Sequence, residues 1–247
     1  MNRSRTLRHF VWYDCLTPDI DGCLNYLKRL VDCDALDQSW PNIGRYPILQ
    51  SRTGPIAGVL QLPKLLQDGG VPSYWTGYVE TSIEAASRAV PQLGGQMVTA
   101  PMQSPMGTSF VFTDTGGAVL AAYESSAAFI TPSSSNPGEF VWRRLYSADH
   151  ERSIRFYDAV FGWKQSDEIE GQWVDESGAL VADLAGAPSW LPSDTWVHFL
   201  GVQDLAATIT SIEQYGGTVL EGAALDHRPA VVSRDPQGAV VGFVQWE

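Results

Sequence analysis

The chain has 247 residues, 44% of them hydrophobic and 18% charged, which is enough apolar material for one or two globular domains with a sizeable core. Its formal net charge of −12 disfavours nucleic acid and anionic membrane surfaces as partners, because no basic stripe offsets it. The short cluster Arg3, Arg5, Arg8 and His9 reads as a solvated end. No run approaches the ~18 consecutive apolar residues of a spanning helix, and no apolar stretch of signal-peptide length follows the N-terminal charges, so a cytoplasmic protein is expected.

Phe10 to Leu16 is a β-rich run. Thr17-Pro18-Asp19 then signals a helix start, with proline tolerated in the first turn. Cys23, Tyr26, Leu27, Leu30 and Val31 recur at helical spacing and form one apolar face. Trp75 to Thr81 is a strand and Ile83 to Leu93 a helix stopped by Gly94-Gly95, with Pro91 placed to shorten it. Phe110 to Thr113 and Val119 to Tyr123 form a hairpin around Asp114-Thr115-Gly116-Gly117. Ser125 to Gly138 is dominated by small polar residues and two prolines, and reads as a linker.

The pattern then starts again. Phe140-Val141-Trp142 repeats Phe10-Val11-Trp12 at a shift of 130, and at that shift Asp149 meets Asp19 and Phe156 meets Tyr26. Ser147 or Asp149 caps a helix with Ile154, Phe156, Tyr157, Val160 and Phe161 on its apolar face. Trp196 to Val202 is a strand, and Leu205 to Tyr215 a helix stopped at Gly216. Val231-Val232-Ser233 and Ala239 to Trp246 make a hairpin around Asp235-Pro236-Gln237-Gly238, which matches the first hairpin turn at a shift of 121. The drift from 130 to 121 gives the first half longer loops, between Trp40 and Asp68. The conserved order of strand, helix, turn and strand predicts a tandem duplication of the α+β class. Each half reads as βαβββ followed by βαβββ, with domains at 1–124 and 139–247 and the linker at 125–138.

Cys15, Cys23 and Cys33 are odd in number and fit no zinc spacing. They read as reduced thiols, or as one reactive thiol, and none has a histidine beside it in sequence. His9, His150 and His227 read as surface groups.

An aromatic–Val–Trp strand, an aspartate seven residues after its tryptophan, a helix ending in Phe161-Gly162-Trp163, the Gly-Gly helix stops and the Asp-Pro-x-Gly turn together resemble the vicinal oxygen chelate superfamily. That group holds glyoxalases, bleomycin-resistance proteins and extradiol dioxygenases, and the resemblance is to tandem-domain, glyoxalase-like members. It implies two domains of paired βαβββ modules, each curling into a half-open barrel around a cavity. It also implies four strand positions per domain that carry His, Glu or Gln in metal-using members. Here those positions fall on Trp12, Gly58, Thr76 (or Trp75) and Ala121, and on Trp142, Asp183, Val197 and Gly242. Asp183 alone has metal-ligating chemistry, and one carboxylate makes no transition-metal site. His198 lies one residue off its expected position, on the opposite face of its strand. No metal and no cofactor are therefore expected.

The same geometry implies a different cavity lining. Alternation puts Phe10, Trp12 and Asp14 on one strand face, and Phe140, Trp142 and Arg144 on its counterpart. Thr76, Tyr78, Val119, Ala121 and Tyr123 extend the first lining; Val197, Phe199, Val240, Gly242 and Val244 extend the second. Aromatic walls with few polar groups suit an aromatic or amphipathic organic ligand, and they equally suit a filled core. Asp14 and Arg144 either orient a ligand or belong to structural pairs. The ligand-binding candidates are thus Trp12, Asp14, Thr76, Tyr78, Tyr123, Trp142, Arg144, Asp183 and Phe199. Three functions stay open: a metal-independent small-molecule binding protein, an enzyme of lyase, isomerase or dioxygenase type with a non-standard site, and an interaction module with filled cavities. A monomer or homodimer is expected.

Overall fold

The computed structural model describes residues 9–40, 43–126 and 136–247. Arg3, Arg5 and Arg8 lie outside the described residues, as do positions 127–135 of the linker. The first half runs β1 (Phe10–Thr17), α1 (Ile20–Leu30), β2 (Asp34–Leu36), β3 (Ser39–Trp40), β4 (Gly44–Arg45), β5 (Ile48–Gln50), β6 (Pro55–Gln61) and α2 (Lys64–Asp68). It continues with β7 (Tyr74–Glu80), α3 (Ile83–Gln92), β8 (Gln96–Met97), β9 (Met102–Ser104), β10 (Gly107–Thr113) and β11 (Val119–Ser125). The second half runs β12 (Phe140–Ser147), α4 (His150–Phe161), β13 (Lys164–Gln165), β14 (Gln172–Val174) and β15 (Leu180–Gly186). It ends with β16 (Thr195–Val202), α5 (Leu205–Gln214), β17 (Thr218–Leu225), β18 (Arg228–Arg234) and β19 (Val240–Gln245). The fold is mixed α+β, with four βαβββ modules. Its strands form a nine-stranded and an eight-stranded sheet, both open, besides the small β3–β4 ribbon. The short elements β3, β4 and α2 are the longer loops of the first half.

Local chemistry sets these boundaries. Asp19, Asp149 and Asp204 each sit ahead of a helix and accept a backbone N–H three residues on, from Gly22, Arg152 and Ala207 at 2.9, 3.0 and 2.9 Å. Asp149 is therefore the cap of α4, and Ser147 turns inward to Ser153 at 2.8 Å. Pro91 lies in the last turn of α3 and does not shorten it, since there its missing N–H removes a single bond. Gly94 and Gly216 follow α3 and α5 at φ +86° and +84°, the left-handed region that stops a helix.

Each module pairs its first strand in parallel with its last, a connection that needs a crossover, which the helix supplies. The pairs are β1 with β6, β7 with β11, β12 with β15 and β16 with β19. The chain divides into two compact units, each drawing on both halves of the sequence. One comprises Met1–Trp12, Gly77–Pro132 and Arg143–Trp196; the other comprises Tyr13–Thr76, Ser133–Trp142 and Val197–Glu247.

In the first unit β11 pairs with β10, which carries β8 and β9, and β15 pairs with β14, which carries β13. Helices α3 and α4 touch. Its core centres on Tyr157, fully buried, with ring centroids of Trp163, Trp173 and Trp196 at 5.7, 5.5 and 5.3 Å. The Tyr157 hydroxyl donates to Asp114 at 2.9 Å and accepts from the Trp196 indole N–H at 2.8 Å.

In the second unit the strands run β2-β5-β6-β1 and β16-β19-β18-β17, with α1 against α5. Tyr13 lies 4.1 Å from Phe140 and 4.9 Å from His198, and Trp75 lies 5.2 Å from Phe140, measured between ring centroids. His198 is thus a fully buried core histidine. His150 and His227 are exposed, whereas His9 is half-buried, and burial, followed by the charge of Arg143, lowers its pKa.

Candidate small-molecule site

The sequence candidates separate between the two units. Trp12, Tyr78, Tyr123, Arg144 and Asp183 fall in the first, and Asp14, Thr76, Trp142 and Phe199 in the second. Each set holds one polar construction at matching places in the repeat.

In the first unit Arg144 stands directly opposite Asp183 in the parallel register of β12 and β15. The guanidinium grips the carboxylate with two bonds, Nε to Oδ1 at 2.9 Å and the terminal nitrogen to Oδ2 at 2.6 Å. Both side chains are largely withdrawn from water, at 15% and 11% exposure. Such a fork is the strongest geometry available to this pair of residues. Tyr146 follows on the same strand face, with the Arg144 charge 5.9 Å from its ring and Trp190 6.0 Å away edge-on. Tyr78 and Tyr123 meet at right angles, 6.5 Å between centroids, and Tyr123 donates to the Met106 carbonyl at 2.6 Å. Trp12 is half-buried.

In the second unit Asp14 occupies the place of Arg144, and Gly58 the place of Asp183. The Tyr46 hydroxyl donates to Asp14 at 2.7 Å. A side chain at position 58 would overlap both Tyr46 and the Asp14 carboxylate, so glycine there makes the room for the phenol. Trp40 closes on Tyr46 edge-on at 5.5 Å. Asp14 is 3% exposed, and burial, followed by the Asp14 charge, raises the pKa of Tyr74. Thr76 is fully buried and its hydroxyl has no hydrogen-bond partner among the described residues. Trp142 is also buried, its indole N–H likewise without a partner. The Phe199 ring lies over Gly242, its register partner, where any side chain would overlap it.

Tyr46 and Trp40 escaped the sequence reading because they sit in the stretch assigned to long loops. Two aromatics within the only large insertion of the repeat were the available signal.

A glyoxalase-like domain model matches residues 143–243. The anthracycline biosynthesis protein DauV of Streptomyces sp. (strain C5) is 25% identical over 260 residues, spanning 95% of this chain and 92% of that protein. A putative glyoxylase of Mycobacterium tuberculosis, CFP32, is 23% identical over 250 residues, spanning 95% and 93%. Among solved structures, a Mn(II)-bound glyoxalase from Novosphingobium aromaticivorans aligns with a TM-score of 0.60 at 12% identity, over 98% of this chain and 83% of that one. A variant of 4-hydroxymandelate synthase from Streptomyces coelicolor aligns with a TM-score of 0.62 at 11% identity, over 98% and 93%.

A divalent ion of the kind that glyoxalase holds does not fit the strand positions described here. Trp12, Gly58, Ala121, Trp142, Val197 and Gly242 offer no ligand atom, Thr76 offers only a neutral hydroxyl, and both Asp183 oxygens are committed to Arg144. Residues 143–243 thus match a glyoxalase-like domain, and the chain as a whole, with four βαβββ modules in two open sheets, shares its fold with these glyoxalase and hydroxymandelate synthase structures.

Proposed function

We propose that this protein binds a small organic molecule, aromatic or amphipathic, through fixed charge and aromatic surface and without a metal at the superfamily's strand positions. The observation that carries this reading is the two-bond lock between Arg144 and Asp183. It consumes the single carboxylate available at those positions and replaces an ion with a built-in pair of opposite charges. Tyr146 and Trp190 beside the pair supply the apolar surface that a ring needs. An anthracycline, the product class named for the DauV relative, is a fused aromatic ring system with polar substituents, and this is the shape such a surface suits. Burying one face of a ring of that size contributes a few kcal/mol at ~25 cal/mol per Å², so micromolar affinity is expected once ordering costs are included.

A second reading, catalysis by proton transfer, is favoured by Asp14 and Tyr46. A buried carboxylate 2.7 Å from a phenol is an acid–base pair with its geometry already set. The enzymes that share this fold, the Mn(II)-bound glyoxalase and 4-hydroxymandelate synthase, add weight to it.

Tryptophan fluorescence across a library that includes polycyclic aromatics tests both. Saturable quenching that survives a metal chelator and is lost in Trp12→Ala or Trp142→Ala supports binding. Turnover of the bound compound, abolished in Asp14→Asn with binding retained, supports the second reading. If no compound quenches, or quenching requires added metal, the binding proposal fails.

A further inference from the structure

Cys15 and Cys23 are separated by one helix start in the sequence, and Asp235 comes 212 residues after Cys23, in the turn between β18 and β19. The second unit brings all three together. The two sulfurs lie 3.6 Å apart, and the sulfurs and an Asp235 oxygen fall within 4.8 Å of one another. All three side chains are buried: Cys15 is 0% exposed, Cys23 1% and Asp235 7%.

The repeat supplies a comparison. Asp114 and Asp235 hold the same turn position. Oδ1 of Asp114 accepts backbone N–H groups from Gly116 and Ala118, and Oδ1 of Asp235 accepts them from Gln237 and Ala239, all at 2.8–2.9 Å. In the first unit the second oxygen receives the Tyr157 hydroxyl. In the second unit two thiol sulfurs lie within 4.8 Å of an Asp235 oxygen. Nearby on the buried face of α1, one turn from Cys23, the Tyr26 hydroxyl rests against the bare backbone of Gly217 with no hydrogen-bond partner among the described residues. Two thiols in contact near a buried carboxylate form a donor set, and the buried phenol on the same helix face is costly unless something satisfies it.

We infer that Cys15, Cys23 and Asp235 form a structural zinc site, with the Tyr26 hydroxyl as candidate fourth ligand. Two thiolates each about 2.3 Å from a tetrahedral ion stand about 3.8 Å apart, close to the observed separation, while a disulfide would need about 2.05 Å. Zinc is the borderline-soft ion that takes mixed sulfur and oxygen ligands in a closed site. Binding would convert two thiols to thiolates and release two protons to solvent, with no oxidation. Because thiolates and not thiols bind the ion, zinc uptake should weaken steeply as pH falls. The ion would tie α1 to β1 and to the β18–β19 turn. This inference is independent of the proposed ligand site, which lies on other residues.

The test uses the full chain, expressed with zinc supplementation and freed of loose metal by gel filtration. Elemental analysis should give one zinc per chain in the wild type and equally in Asp183→Asn and Cys33→Ser. Cys15→Ser and Cys23→Ser should retain less than about one tenth of that, and Asp235→Asn, which keeps the turn acceptor, should lower zinc affinity by at least about tenfold. Cobalt added to metal-free wild type should give an intense near-ultraviolet thiolate-to-cobalt band, a readout that does not depend on the variants folding. Absence of both zinc and the cobalt band at neutral pH, or a Cys15–Cys23 disulfide in the protein as purified, would overturn the site. Zinc lost in Asp183→Asn instead would place the metal at the strand positions and overturn the metal-free reading of the ligand site.

Discussion

Replacing Arg144 by methionine removes one half of a locked ion pair and leaves the other half in the sheet. Asp183 is 8% exposed, and Arg144 is the donor to both of its oxygens among the described residues. Deleting one partner of a buried pair costs about 3–5 kcal/mol, because the surviving charge keeps its desolvation penalty and loses its compensation. The pair retains 15% and 11% side-chain exposure, so water reaches it at the edge and the lower end, about 3 kcal/mol, is expected. In a protein of this length that corresponds to a fall in Tm of roughly 6–12 °C. The double variant Arg144→Met with Asp183→Leu removes both charges and should recover most of the loss, since an apolar pair of similar volume is often neutral or stabilising. The assay is urea unfolding of wild type, both single variants and the double variant, repeated at high salt. A buried pair predicts a coupling energy that salt barely alters. Single variants within about 0.5 kcal/mol of wild type, or a coupling that vanishes in salt, would show that the pair behaves as a surface contact and refute the argument.

Gly58→Ala should destabilise by about 1–3 kcal/mol through forced movement of Tyr46 and Asp14, and the additional variant Tyr46→Phe should recover part of that loss; urea midpoints read both effects. Tyr157→Phe orphans the Trp196 indole N–H and one Asp114 oxygen in the same core, for a loss of about 2–4 kcal/mol measured the same way; a change below 1 kcal/mol would mean that water replaces the hydroxyl. Burial raises the Asp114 pKa above its unfolded value of about 3.9. For a raised folded pKa, the stability this group contributes is fully present below the unfolded value and is lost as pH rises through the folded one. Wild type should therefore lose stability relative to Asp114→Asn between pH about 4 and neutrality, and parallel stability curves for the two would contradict this.

Local signals carried much of the fold in the sequence alone. The aspartate caps ahead of α1, α4 and α5, the glycine stops and the two Asp-led hairpin turns are each written within a few residues, because caps and turns are satisfied by neighbours in the chain. The repeat fixed the order of modules, and strand alternation sets Phe140, Trp142 and Arg144 on one strand face. Partnership lay outside what the sequence could state. Arg144 and Asp183 are 39 residues apart, and their bond exists because the parallel register sets them side by side. Tyr46 reaches Asp14 from an insertion that carries no strand pattern of its own. The compact units each draw on both halves of the chain, through contacts between residues far apart in sequence. Cys15, Cys23 and Asp235 lack any metal-like spacing, since the site they suggest is assembled by a strand, a helix and a distant turn. Periodicity and turn chemistry are short-range and legible in one dimension; register and packing are pairwise facts about distant residues, and only the folded chain decides them.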